Sequence, residues 1–524
     1  MMEDLAPVGS RPRPAARGDG PPMAPKRPPG EVMRLARMGA FHPSRLSFMR
    51  ILLRRLRREG WRVDRPVWRI DGAGVGVATY RARGPERSYT LVAFAHDLPD
   101  EKRSDRVIAD AWDATFTLVD GEPTEADLAR LAANVPLQEA GRIGERELVL
   151  SRANRSVRLF ASVVDRLARG LQPDPAEVDA VGYLMRTTAV YGAGKFGAAD
   201  RARWAGRPEF AGAFQPEMLA VWLIRAFTLD LVEHLARARA PATAVAIEPA
   251  LRRRFGVGNS TGLGMAPFLM AHPRLIHAWV DARETALARV RALPEATAET
   301  RRAFRALVER AAANAGGWRV DDPLQTARIE GLRDDLRRLA AHLDAGALEG
   351  PEPWDRLHDW AAGALTIEGQ EQTVSLMLEP HGDLVDDLAE KMEAVEDTPF
   401  RIDGGMSLDA LGRLIERDYA WALATDFADR AECARVWYVS EEKLEPRLGE
   451  RFEEPLEPYE QPLAPGRDVA ALHAALLGAD PAETVARFLM RAPEHRHAVR
   501  RVQLAAAFPY AEIRDNTIAA GMRP

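Results

Sequence analysis

Apolar residues recur at every third or fourth position through most of the chain, and the stretches that break this rhythm define its organisation. In FHPSRLSFMRILLRRLRREG, Leu46, Met49, Leu52, Leu53 and Leu56 share helical spacing while Arg50, Arg54, Arg57 and Arg58 fill much of the remaining surface. The spacing predicts an amphipathic helix that opens near Pro43 and Ser44 and stops at Gly60, with a basic face turned to solvent or to an acidic partner. Residues 61–120 change period: WRVDRPVWRID, GVGVATYRAR and SYTLVAFAHDL alternate or form short β-rich runs between DGAG and RGPER. A further strand is predicted around Thr115 to Val119, with Asp120 and Gly121 turning the chain.

Helical spacing returns in TEADLARLAANV, RANRSVRLFASVVDRLARG, PAEVDAVGYLMRTTAVYG and QPEMLAVWLIRAFTLDLVEHLARAR. It continues across 294–317, GLRDDLRRLAAHLDAG and SLDALGRLIERDYAWALATDFADRAECA. RVWYVS at 435–440 reads as a strand, and 441–460 carries eight Glu against three Lys or Arg, which suits a surface loop or extended arm. The expected fold class is α+β, predominantly α-helical, with a small antiparallel sheet segment near the N-terminal side and a large helical body. No strand-helix-strand rhythm runs long enough to specify a doubly wound sheet. The boundaries expected are a flexible tail at 1–30, a small α+β segment with the basic helix at 31–125, a helical body at 126–430, and an α+β C-terminal segment with the acidic loop at 431–524.

The apolar fraction of 46% and charged fraction of 28% suit a folded chain, and 524 residues are enough for more than one core. With 72 Lys and Arg against 77 Asp and Glu the net charge is -5, which argues against nucleic acid as the main partner. Cys433 is the sole cysteine, so no intrachain disulfide or thiolate cluster forms. The N-terminal stretch lacks the apolar core of a signal peptide, and no apolar run reaches membrane-spanning length. A cytoplasmic protein without membrane partners is expected, and its many apolar helices leave a homo-oligomer open.

Two glycine-punctuated stretches carry the strongest candidate chemistry. Around Asn259, Ser260 and Thr261 stand Gly256, Gly258, Gly262 and Gly264, pairing backbone freedom with small donors and acceptors. If this loop turns into a helix, its amides face a phosphate or carboxylate; a tight interhelical turn is the competing reading. Lys195 sits among Gly192, Gly194 and Gly197, downstream of Arg186, and the two cations suit a small anion. Arg155 and Arg158, three apart, would share a helical face and clamp an acid, or join structural ion pairs.

The acid-base candidates are His272 and His277 just beyond the glycine loop, Glu441 after RVWYVS, and His96 at a predicted strand end before Asp97. Each competes with a structural or solvated role. GAGKFG lacks the spacing of a phosphate loop and the Ser or Thr after its Lys, and no dinucleotide, haem, iron-sulfur or metal-ligand motif is found, so the cofactor stays unknown. These residues together suggest an enzyme acting on a small anionic metabolite, carboxylate- or phosphate-bearing, by acid-base lyase or group-transfer chemistry. The alternatives are an atypical ATP-dependent ligase or phosphotransferase, and a non-enzymatic helical interaction module using the basic helix and the acidic arm.

Overall fold

The computed structural model describes residues 45–96, 113–136, 144–155, 158–190, 207–210, 215–257, 273–317, 323–390, 392, 402, 404–424, 426, 428, 460–496, 498–499 and 502. Within them the protein is α+β and mostly helical, with one antiparallel sheet on its N-terminal side. Helix α1 (Phe48–Arg58) begins where the Ser47 side chain accepts from the Arg50 amide at 3.2 Å. Pro43 and Ser44 lie outside the described residues. Ser47 is fully buried and supplies the cap that satisfies an otherwise orphan amide, so Ser47→Ala is expected to cost about 1 kcal/mol in a denaturant titration.

Strands β1 (Arg62–Ile70), β2 (Gly76–Arg83), β3 (Ser88–Ala95) and β4 (Ala114–Asp120) follow where the period shortens. The turn between β1 and β2 is held by Asp71, whose Oδ1 accepts from the amides of Ala73 and Val75 at 3.0 and 2.9 Å. Gly76 closes it with φ +143°, at a point where a Cβ would stand 1.9 Å from the Arg69 carbonyl oxygen. Helix α2 (Glu125–Asn134) opens on a reciprocal cap between Thr124 and Asp127.

Two strands depart from the helical reading of this region. RELVLSRAN forms β5 (Glu147–Asn154), and helix α3 (Arg158–Ala168) starts only after it. Helix α4 (Pro175–Val181) stops at Gly182, which takes the left-handed conformation at φ 73°. The chain beyond it then pairs as β6 (Arg186–Val190) instead of continuing as helix. Arg155 therefore precedes α3, and the helical face it was expected to share with Arg158 does not exist. The sheet runs in chain order β1-β2-β3-β4-β5-β6, every pair antiparallel.

The period of two sorts the sheet residues onto two faces. Ala78, Tyr80, Ala82, Leu91, Ala93, Ala95, Ala114, Phe116 and Leu118 join the large core, where helix α5 (Pro216–Arg239) lies against β2 to β5. The alanines leave room for α5, and Tyr80 and Phe116 meet its Phe227 edge-on at 6.3 and 5.5 Å. Val92, Phe94, Val119 and Leu150 turn the other way, onto Leu128, Leu131 and Val135 of α2 and its C-cap. Asp230 of α5 locks the layers, accepting from Tyr80 Oη at 2.6 Å and Arg65 Nη1 at 2.7 Å, and pairing with Arg252 of helix α6 (Pro249–Val257).

Helices α7 (Pro273–Arg291), α8 (Ala298–Gly317), α9 (Pro323–Asp344), α10 (Pro353–Ala364), α11 (Ile367–Leu378) and α12 (Gly382–Glu390) build the helical body. Trp279 of α7 joins α1 to this body by donating its indole N–H to the Leu46 carbonyl at 2.7 Å. Part of the basic face of α1 is met by the chain's own carboxylates: Arg50 pairs with Glu379 at 2.8 Å and Arg54 reaches Asp386 at 3.6 Å, joined by Arg45 just before the helix at 3.3 Å, while Arg57 and Arg58 are exposed.

Helices α13 (Leu408–Asp418), α14 (Ala420–Leu423), α15 (Glu460–Leu477) and α16 (Val485–Arg491) gather a second apolar cluster around Leu411, Ile415, Leu472 and Phe488. RVWYVS and most of the acidic segment 441–460 lie outside the described residues.

Candidate functional site

At the end of the sheet where β3 stops and β4 starts, the register aligns Ala95, Ala114, Ala153 and Thr187. One residue further along β3, the His96 amide donates to the Asp113 carbonyl at 3.0 Å, so the strand pairing holds the histidine backbone beyond the last ladder position. Its imidazole Nε2 lies 3.2 Å from Thr115 Oγ1, with the direction of donation set by the tautomer. Thr115 faces Phe94 on one side and Arg152 on the other, and Arg152 in turn faces Thr188 of β6. Directly paired residues point to the same face, so the Arg152 side chain leaves the sheet on the face of the His96-Thr115 contact.

Arg152 is 1% exposed and Thr115 fully buried. A guanidinium taken out of water is costly unless it is hydrogen-bonded, and Arg152 is not without a partner within the protein. This face is the one that α2 covers further along the strands through Leu128, Leu131 and Val135. The result is a strand-end histidine in contact with a hydroxyl whose cross-strand neighbour is a buried arginine. An imidazole held this way can take up or release a proton.

Arg155 takes a different course. Its amide donates to Asp113 Oδ2 at 2.6 Å, while its guanidinium crosses to the β1-β2 turn and donates from Nη2 to the Gly74 carbonyl at 3.2 Å. It also lies over the Phe160 ring at 5.6 Å. Gly74 packs against Leu231 and Leu235, so this guanidinium is on the side of the sheet that carries α5, away from the His96-Thr115 face. Arg186 opens β6 opposite Asn154, and His277 lies on α7; only the backbone of these two is described. His272, Glu441, Gly194, Lys195, Gly258, Asn259, Ser260 and Thr261 lie outside the described residues, and with them the expected meeting of the two glycine-rich stretches.

The entry to the second glycine stretch is described as far as Val257. Arg225 of α5 donates from Nη1 to the Gly256 carbonyl at 3.2 Å, and burial pulls its guanidinium down to about 10. Arg254, on the same turn, is lowered by burial and then by Arg310 of α8. Cations at the last turn of α6 complement the carbonyl end of its dipole.

Thr115 was legible only as a strand residue, and its pairing with His96 depends on strand register. Among the described residues no group of three or more His, Cys, Asp or Glu side chains is placed to hold a metal ion, and no helix is long and apolar enough to cross a membrane. No protein-family model, curated protein or solved structure matches the chain.

Proposed function

We propose that the protein is an enzyme acting on a small anionic metabolite, carboxylate- or phosphate-bearing, by acid-base lyase or group-transfer chemistry at the sheet-end face. Arg152 anchors the anion through its planar fork of donors, His96 moves the proton, and Thr115 holds the imidazole in place through its Nε2. The observation that carries this reading is the 3.2 Å contact between His96 and Thr115 one strand away from the buried Arg152. The pairing of Arg45, Arg50 and Arg54 with Glu379 and Asp386 weighs against a docking module built on the first turns of α1, because those arginines are already met within the chain.

The test is thermal stabilisation of the full chain by dicarboxylates, inorganic phosphate and sugar phosphates. A ligand present at a hundredfold over its Kd stabilises by about 2.7 kcal/mol. The shift is expected to survive His96→Gln, which removes the proton carrier, and to disappear in Arg152→Met, which removes the anchor. An anion shift unchanged in Arg152→Met would overturn the assignment. Magnesium-dependent stabilisation by ATP, with none by the other anions, would replace it with phosphotransfer.

A further inference from the structure

Helix α11 is enclosed by α7, α8, α9 and α10, yet it carries Glu371, Gln372, Thr373 and Ser375 at 0%, 1%, 1% and 4% exposure. Two of these groups are accounted for. Glu371 Oε2 accepts from Arg283 Nη2 of α7 at 2.7 Å, and Thr373 Oγ1 donates to the Gly369 carbonyl one turn back at 2.7 Å. Gln372 is different: neither its Oε1 nor its Nε2 has a hydrogen-bond partner among the described residues.

A carboxamide brings two donors and an acceptor into the interior, and each left unmet is more costly there than the apolar atoms of a methionine or leucine of similar size. Trp354 Nε1 and His381 Nε2 are also buried without a partner, but each is a single donor or a single acceptor. Among the described residues Gln372 alone leaves a donor and an acceptor unmet on two separate atoms, whereas a hydroxyl such as that of Thr117 or Ser151 carries both on one oxygen. Its sequence neighbour Glu371 is already paired with Arg283, which also contacts Glu284 Oε1 at 3.3 Å. The carboxamide itself carries no charge with which to hold an anionic guest.

We propose that the helical body encloses, at Gln372, a small uncharged polar guest that presents a donor and an acceptor together, as a water pair does, or the amide or hydroxyl end of a neutral metabolite. Its two edges match the carboxamide as one amide matches another. The proposal is independent of the sheet-end reading, which concerns an anion and a different part of the fold.

A high-resolution crystal structure of the full chain, purified without added ligand, is expected to show density at about 3 Å from both Gln372 amide atoms. Native mass spectrometry separates the sources: a neutral metabolite adds a discrete mass that denaturation removes, and water adds none. Gln372→Met is expected to lower Tm by about 2 °C or more, because the guest loses its partner. An empty site would overturn the proposal, and a Tm raised by Gln372→Met would then show the amide to be an unmet core group. Should the variant fail to fold, the wild-type density decides alone.

Discussion

Glu371→Ala is expected to destabilise the fold by about 3–5 kcal/mol, among the largest effects of any single substitution in the helical body. Arg283 is 3% exposed and Glu371 fully buried, with Nη2 to Oε2 at 2.7 Å, so truncating the carboxylate strands a guanidinium that water does not reach. Glu284 stays at 3.3 Å and offsets part of the loss, which favours the lower end of the range. The double variant Arg283→Met with Glu371→Leu removes both charges and is expected to recover most of the stability, because a buried ion pair contributes little beyond a well-packed apolar pair. Urea titrations followed by tryptophan fluorescence make the comparison, since Trp279 and Trp354 are buried in the same helical body. A single-variant loss below about 1 kcal/mol would show that the pair is hydrated in solution.

Acid is expected to weaken the protein through His381. Burial, and secondarily Arg45, pull its imidazole down to about 4, from an ordinary value of 6.5, while Asp383 pulls the other way. It stands edge-on to Trp354 at 4.9 Å and is 8% exposed. Between pH 6.5 and about 4 the unfolded chain takes up a proton here that the folded chain refuses. Stability contributed by the neutral imidazole is thus complete above pH 6.5 and is lost as pH falls through this window, by at most about 3 kcal/mol. His381→Phe keeps the ring against Trp354 and removes the titration. Unfolding free energies measured from pH 7 to 4.5 are expected to show the wild type losing ground to the variant as pH falls. Parallel curves would rule out the histidine as the source.

The elements from α1 to β4 are legible because each shows either a single period or a short β-rich run between turn residues, and the cap residues Ser47 and Thr124 stand where helix starts require them. β5 and β6 were hidden for a physical reason: burial overrode polarity. Ser151 and Arg152 lie in β5 at 0% and 1% exposure, so the strand lacks the apolar alternation that marks a half-buried one. Gly182 was the available signal that the helix before β6 must end, and the Thr-rich run beyond it has the β-branched character of a strand. Of the site, His96 at a strand end could be read from the chain. Its contact with Thr115, the place of Arg152 across from Thr115 and the partners of the α1 arginines could not, because they depend on register or on residues 329 positions away, as in Arg50 and Glu379.

The order β1-β2-β3-β4-β5-β6 also bears on how the protein is made. Every strand pairs with the one synthesised just before it, so the ladder can assemble in step with the ribosome, without awaiting distant partners. Its apolar side, however, finds its cover only when α5 emerges, at Pro216–Arg239. For the time needed to translate that interval, a nearly finished sheet presents bare Tyr80, Leu91 and Phe116 to solvent or to a chaperone, and pauses in translation there would raise its exposure to aggregation.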